Sequence, residues 1–333
     1  MGDNSGVSVL KFVMQRSLQS KLTDKGTHQV QPLSYEMGQY VFLNVPDVSL
    51  LEVHPFTISS SPLDPYASLH VKDMGRYTFT GRLYHHLQKV SNDPNGLANM
   101  VINVDGPYGI PFNYKEHSSI LLVGGGIGIT PLHSILRSLV LLHGSSSSKA
   151  TGIPGILRRV RLVWGVRDIE MIDMFRDTFE KVLRCQDDDK KGAADATTVK
   201  FEISIHCSNR LTTTTTATTD SIESGKVPIG INTTTTTSST RSTIATVHGR
   251  MQLDKEVLRL VGDPHAVVFV CGPEAMVKEA GDLTSTHNIQ FHEHYTHYYH
   301  STHHSLLSML SLLLLLLLLL LLLLLLLSLL LSY

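Results

Sequence analysis

Residues 120–136 read ILLVGGGIGITPLHSIL, and this stretch decides the fold. Four branched or long apolar residues with no polar alternation fit a strand covered on both faces. The strand runs into Gly124, Gly125, Gly126 and Gly128. Beyond them Leu132, Ile135, Leu136, Leu139 and Val140 recur at three- and four-residue steps, giving a helix one apolar face. Thr130 is placed to cap that helix, and Pro131 falls in its first turn, where a missing N–H costs little. Such a junction is built to receive a phosphate: glycines let it approach the backbone, and the helix start offers free N–H groups and a positive dipole end. A plain glycine turn has the same local pattern. Pro131 also stands where the dinucleotide fingerprint would carry its third glycine, so an ordinary NAD dehydrogenase pattern is not met.

The same alternation continues downstream. SILLV, RVRLVW, VKFEISI and HAVVFV are short apolar runs separated by segments of helical spacing, as in a parallel sheet with helices on both sides. A second strand-to-helix junction, AVVFVCGPEAMVKEA, ends its strand at Cys271, keeps the turn free of bulk with Gly272 and opens the next helix with Pro273. Both junctions belong at the carboxyl edge of one sheet, where open α/β sheets bind ligands. A free cysteine there also suits the role of a small buried apolar group.

Upstream, residues 7 to about 115 have a different rhythm. VSVLKFVMQ, GQYVFLNV, HPFTISS, SLHVKD and MVINVDG alternate like strands between Gly, Pro, Asp and Asn turns, which predicts a small antiparallel barrel with one short helix near TGRLYHHLQKV. The chain thus divides into a barrel domain at 7–115, an α/β domain at 116–295 and a tail at 296–333. HGSSSSKATGIPG, CQDDDKKGAADAT and residues 212–246, with fifteen threonines, read as insertions too poor in large apolar groups to form a core.

Composition narrows the function. With 28 basic and 29 acidic residues the net charge is -1, which argues against a nucleic-acid binder. Cys185, Cys207 and Cys271 are odd in number and lack a C-x-x-C pair, so neither a disulfide framework nor a zinc site is expected, and a reducing, cytosolic setting fits. The start MGDNSGVSVLKF shows no secretory h-region, and Gly6 breaks the myristoylation pattern. The sequon at Asn232 is then expected to be idle.

Taken together, GQYVFLNVPDVSLLEVHPFTISSSP, DGPYGIP, VGGGIGITP, VWGVRD and VCGPEAM, in this order, resemble the dehydrogenase portion of the NADPH oxidase and ferric-chelate reductase family, a branch of the ferredoxin reductase-like flavoproteins. The resemblance covers roughly residues 7–295. It implies a two-domain fold, an antiparallel β-barrel for FAD followed by a doubly wound parallel sheet for NADPH. His54 and Pro55 would shape the flavin turn, Phe56 would lie against the isoalloxazine ring and the Thr57 hydroxyl would meet the flavin edge. An aromatic platform with hydroxyls and amides along the polar rim suits such a ligand. LHVKDMGRYT resembles the pyrophosphate segment, with Lys72 as the charge, Gly75 and Thr78 at the helix start and His70 assisting. GRYTFTGRL has two residues more than the common family form, which leaves the cap open between Thr78 and Thr80.

For the second nucleotide the resemblance gives Gly126, Gly128, Thr130 and Pro131 the NADPH pyrophosphate, and Cys271, Gly272 and Pro273 the nicotinamide. Arg167 and Arg250 are its candidates for the 2′-phosphate, since a guanidinium matches phosphate oxygens in forked geometry. Met251 departs from the family's proline after that second arginine. Thr57 and Cys271 are the expected catalytic-site residues, and hydride passes from NADPH to FAD and then, singly, to an acceptor such as haem, oxygen or ferric iron. The implied partner is a haem-containing membrane domain, with the flavin and nucleotide domains on the cytosolic side. A soluble flavin or cytochrome reductase and a non-catalytic, membrane-tethered flavin-binding remnant are the alternatives. Either this chain is a fragment of a longer product or a module that meets its haem partner separately.

The tail departs from the family. IQFHEHYTHYY begins like the terminal strand of relatives, and Tyr295 is its candidate for the aromatic that shields the flavin. Six histidines from His292 to His304 read as low complexity rather than a metal site. Leucine then fills sixteen consecutive positions, Leu312 to Leu327, either as a membrane anchor or as a translated repeat.

Overall fold

The computed structural model describes residues 9–15, 19–22, 28–31, 33–93, 96–97, 99–143, 156–190, 198–208, 226–228 and 245–294. The leucine run, Tyr295, the histidines after His294, Asn232 and most of the threonine-rich insertion lie outside them. Among the described residues no helix is long and apolar enough to cross a membrane.

In chain order the first part comprises β1 (Val9–Gln15), β2 (Gln19–Leu22), β3 (His28–Gln31), β4 (Tyr40–Asn44), β5 (His54–Thr57), β6 (Tyr66–Lys72), α1 (Phe79–Val90) and β7 (Asn103–Tyr108). Its pairings are all antiparallel: β1 with β6, β2 with β3, and β4 between β5 and β7. A bridge between Ile58 and Leu69 joins the end of β5 to β6. Alternate residues of β4, Val41 and Leu43, point inward onto Ile58, Leu69, Val71 and Leu83 of α1, forming one core. The QSKL and HQVQ pair has no apolar alternation, so nothing in the residues announced β2 and β3.

The second part adds β8 (Ser119–Gly125), α2 (Ile129–His143), β9 (Arg159–Val166), α3 (Glu170–Asp173), α4 (Arg176–Lys190), β10 (Lys200–Cys207), β11 (Lys226–Pro228), β12 (Ala245–His248), α5 (Leu253–Leu258), β13 (Ala266–Cys271), α6 (Glu274–Thr286) and β14 (Gln290–Glu293). The sheet runs in the order β11-β12-β10-β9-β8-β13-β14. Every pairing is parallel except that of the edge strand β11. Along β8, Ile120 and Leu122 face the layer of α2 and α4, while Leu121 and Val123 face α5 and α6. Both faces are therefore apolar, as the unbroken ILLV run requires. From β8 the chain winds outward through β9, β10 and β12, then returns to β13 on the other side. The winding thus reverses between β8 and β13, the place where such sheets leave a crevice.

The two parts meet along a polar seam. Ser59, Ser60 and Ser61 follow β5 and are buried, as are His133, Ser134 and Ser138 of α2. His133 donates through Nδ1 to the Ser59 carbonyl at 2.6 Å, and its Nε2 lies 2.7 Å from Thr178 Oγ1. Ser134 Oγ donates to the Ser60 carbonyl and Ser138 Oγ to Ser61 Oγ. Arg137 forks onto Asp64 through Nε and Nη2, at 2.6 and 2.7 Å, and reaches Asp177 through Nη1. These four residues lie on consecutive turns of one helix side, so a single face of α2 carries the whole seam. His70 belongs to it as well: its Nδ1 is 2.6 Å from Ser59 Oγ, and its ring packs 4.7 Å from Phe175. Burial lowers the pKa of His133 to about 4 and that of His70 to about 3.

The seam has two measurable consequences. Arg137→Ala leaves the Asp64 carboxylate buried without its partner and is expected to cost about 3–5 kcal/mol in urea unfolding; a loss under about 1 kcal/mol contradicts the assignment. The second concerns pH. The unfolded chain protonates His133 and His70 below about 6.5, whereas the folded chain resists down to about 4 and 3. Stability is therefore full above pH 6.5 and lost as pH falls toward those values, by on the order of 2 kcal/mol per ring at pH 5. Unfolding at pH 7 and pH 5 should show this slope, flattened in His133→Asn.

Candidate functional site

The two glycine junctions lie side by side. In the sheet register Cys271 faces Gly124, so the end of β13 abuts the end of β8. A methyl built on Gly128 would stand 2.3 Å from the Cys271 carbonyl oxygen, which is why no larger residue fits there. Gly126 has φ +54 and open space where a Cβ would stand, so the backbone turn is bare toward the crevice. Trp164, fully buried in β9, anchors this turn by donating Nε1–H to the Gly126 carbonyl at 2.9 Å. A buried indole needs an acceptor, and the tryptophan of VWGVRD was the available signal for this contact.

The expected cap at Thr130 is corrected. A 3-10 turn over Gly126–Gly128 leads into the helix, which begins at Ile129. Thr130 is thus already its second residue, and its hydroxyl donates to the Ile127 carbonyl at 3.2 Å instead of accepting from a backbone amide. Pro131 lies buried in the same first turn. Cys271 is buried, and burial alone pushes its thiol up to about 12, so it stays protonated at neutral pH. Gly272 is packed against Gly125 and Met276, while Pro273 precedes α6 with an exposed ring.

On the barrel side, His54 and Phe56 share one face of β5, beside the start of α1. The His54 ring stacks on Phe79 at 4.3 Å, and Phe56 lies 6.5 Å from Phe79 with its own ring half-buried against the barrel core. Burial lowers the His54 pKa, with the Glu52 carboxylate at 3.5 Å opposing it. Pro55 pairs with Phe42 of β4. Thr78 is the cap of α1: its hydroxyl oxygen accepts from Gly81 N–H at 3.1 Å, and it donates to the Gly75 carbonyl. Thr80 instead accepts from Met74 N–H. The first turn of α1 has no acidic residue, and Lys72 lies half-buried at the end of β6 nearby. Asp73 accepts from Gly75 N–H and Glu52 pairs with Arg82 of α1, yet a capped helix start with a lysine and a half-buried aromatic beside it still fits an anionic ligand with a flat apolar end.

His70 does not join them. The face of β6 that carries it is turned into the seam, where Ser59 and Phe175 enclose its ring. The run of serines after Thr57 is corrected likewise: the Ser59 and Ser60 hydroxyls bond His70 and Tyr35 while their carbonyls accept from α2, and the Ser61 hydroxyl accepts from Ser138, so none is left to rim a ligand.

One contact spans the two parts at the crevice. Thr57 Oγ1 lies 3.1 Å from His294 Nε2, and His294 N–H donates to the Val270 carbonyl, one residue before Cys271. Burial lowers the His294 pKa to about 4. His294 carried no signal in the residues, since it sits 237 positions from Thr57 in a histidine-rich tract. At the far end of the sheet edge, Arg167 is exposed after β9 and Arg250 after β12.

The chain matches a family model described as an FAD-binding domain over residues 9–112, and one described as a ferric reductase NAD binding domain over residues 117–285. It is similar to respiratory burst oxidase homolog protein B of Solanum tuberosum, 29% identical over 76% of this chain and 31% of that protein. It is also similar to ferric reduction oxidase 8, mitochondrial, of Arabidopsis thaliana, 35% identical over 43% of this chain and 18% of that protein. The chain spans less than a third of the length of these relatives. Among solved structures, the flavohem-like FAD/NAD binding domain of a Vibrio cholerae nitric oxide dioxygenase superposes with TM-score 0.50 at 15% identity, covering 86% of this chain and 91% of that one. A ferredoxin-NADP+ reductase of Plasmodium falciparum with 2′P-AMP gives TM-score 0.50 at 12% identity, covering 88% and 91%. At such identity these two show the fold alone, a ferredoxin reductase-like one.

The close approach of the junctions predicts the effect of one methyl. Gly128→Ala forces backbone away from backbone, and calorimetry should show NADPH affinity reduced at least about tenfold with FAD content unchanged. Unaltered NADPH affinity contradicts a nucleotide at this turn.

Proposed function

We infer the activity from one premise: this chain belongs to the FAD-binding and ferric reductase NAD-binding family. The reading is an oxidoreductase that passes electrons from NADPH through FAD to a one-electron acceptor, with residues 7–115 holding FAD and 116–295 holding NADPH. The observation that carries it is the meeting of Thr57, His294 and the Cys271 turn at the reversal of the sheet. FAD, when bound, supplies the conversion of a transferred pair of electrons into single ones.

The protein's residues align, compensate charge and exclude water. His54, Pro55 and Phe56 form the apolar side of the flavin site, and Lys72 with the Gly75–Thr78 cap receives its pyrophosphate. Gly126, Gly128, Thr130 and Pro131 present the first turn of α2 to the NADPH pyrophosphate, while Arg167 and Arg250 take the 2′-phosphate. Gly272 and Pro273, packed on Gly125, border the turn that receives the nicotinamide. Cys271, held protonated by burial, fills that turn without acting as a nucleophile. His54 and His294 have lowered values for the same reason. Cys271 and His294 beside the turn are therefore neutral at physiological pH, and no side-chain acid or base is required.

The acceptor lies with the parts that this chain does not share with its longer relatives. A haem-containing membrane domain is the immediate acceptor in this reading, with oxygen or ferric iron beyond it, and the two domains described here sit at the cytosolic face of that membrane.

Full-length protein reconstituted with FAD should oxidise NADPH with ferricyanide as acceptor. Thr57→Val, which keeps shape and loses the hydroxyl, should lower turnover about tenfold without releasing FAD. Flavin binding with no turnover in the unmodified chain favours the non-catalytic alternative and ends this proposal.

A further inference from the structure

The reading above gives Arg250 to the 2′-phosphate, but its guanidinium is already engaged. Arg250 Nη2 lies 2.7 Å from Glu279 Oε2 on α6, with the arginine side chain 80% and the glutamate side chain 39% exposed. Met251, the next residue, is buried, and its methyl lies 2.7 Å from the Cβ position of Gly165 in β9. That anchor fixes the backbone across the carboxyl edge, and from there Arg250 reaches Glu279 on α6. Met276, one turn before Glu279, packs on Gly125 and Gly272. The pair therefore stands on the helix that starts beside the glycine turn.

We propose that Glu279 is a positioning residue that sets the preference between phosphorylated and unphosphorylated nicotinamide dinucleotides, by holding Arg250 against α6 in competition with the 2′-phosphate. This rests on the nucleotide reading of the crevice and goes beyond it. A dianionic phosphate must either displace the carboxylate from the guanidinium or share it with a like charge a few ångströms away, and both raise its cost. A dinucleotide with a free 2′-hydroxyl pays neither. Because the pair is exposed, its own strength is modest and salt-sensitive, so it tunes a ratio and does not exclude a ligand.

The test uses the full chain with two probes, ADP-ribose and its 2′-phosphorylated form, titrated by calorimetry at low and high salt. In Glu279→Gln, which keeps the shape and removes the charge, the phosphorylated probe should bind about fivefold tighter, with ADP-ribose unchanged within about twofold. The gain should shrink at high salt, as screening predicts. Arg250→Gln should erase the preference for the phosphorylated probe, and adding Glu279→Gln should restore little of it. If both probes bind the unmodified chain and the ratio is the same in Glu279→Gln, this inference is overturned and the nucleotide site stands. If neither probe binds the unmodified chain, both are overturned.

Discussion

The arrangement of the crevice depends on the seam between Ser59–Ser61 and one face of α2. The serines follow Thr57 by two to four residues, and the helix face that receives them, His133 to Ser138, begins five residues after Gly128. The seam thus ties together the two segments that reach the crevice from opposite domains. A shift of α2 along its axis would carry the glycine turn away from β5 by the same amount. Positioning a hydride donor and acceptor demands tolerances of a fraction of an ångström, which loosely docked domains do not hold. Directional hydrogen bonds in a buried contact hold them better than apolar packing, because each has one preferred partner.

The same polarity makes the seam intolerant. Buried donors and acceptors cost little only while all are paired. Here the pairing forms a consistent chain: Arg137 donates to Thr178, whose hydroxyl reaches His133 Nε2, while Nδ1–H of that ring meets the Ser59 carbonyl. The chain works with a neutral imidazole. Protonating His133 would require the Thr178 hydroxyl to turn and accept from both the ring N–H and Arg137 in a buried site. Burial, helped by the Arg137 charge, keeps the ring neutral against the Ser59 carbonyl, whose hydrogen bond favours the protonated form.

How much of this was legible in the sequence follows from the range of each interaction. The buried strand of ILLV, the apolar face of α2 and the two glycine junctions are encoded within a few residues, and all are found in the structure. Thr130 was misread as a cap because a threonine before proline looks the same whether or not a 3-10 turn precedes it. The serines were misread because a hydroxyl run beside an aromatic suits a ligand rim and a domain contact equally. What separates the two is Asp64 with Arg137, 73 residues apart. No local pattern encodes such a pair, and His294 on Thr57 is more distant still.

Charge is distributed across the site with a logic of its own. Cys271 and His294 lie beside the reversal of the sheet, and burial moves each toward its neutral form: the thiol upward, the imidazole downward. Charged side chains stand elsewhere: Arg82 pairs with Glu52 beside His54, Lys72 lies by the start of α1, and Arg167 and Arg250 lie at the sheet edge. A fixed charge beside a nicotinamide or flavin ring would favour one redox state over another, whereas charges at the phosphates act equally on both states and strengthen binding alone. In the proposed reading burial separates these roles: Cys271 and His294 are held neutral beside the turn, while the arginines offered to the 2′-phosphate stay exposed.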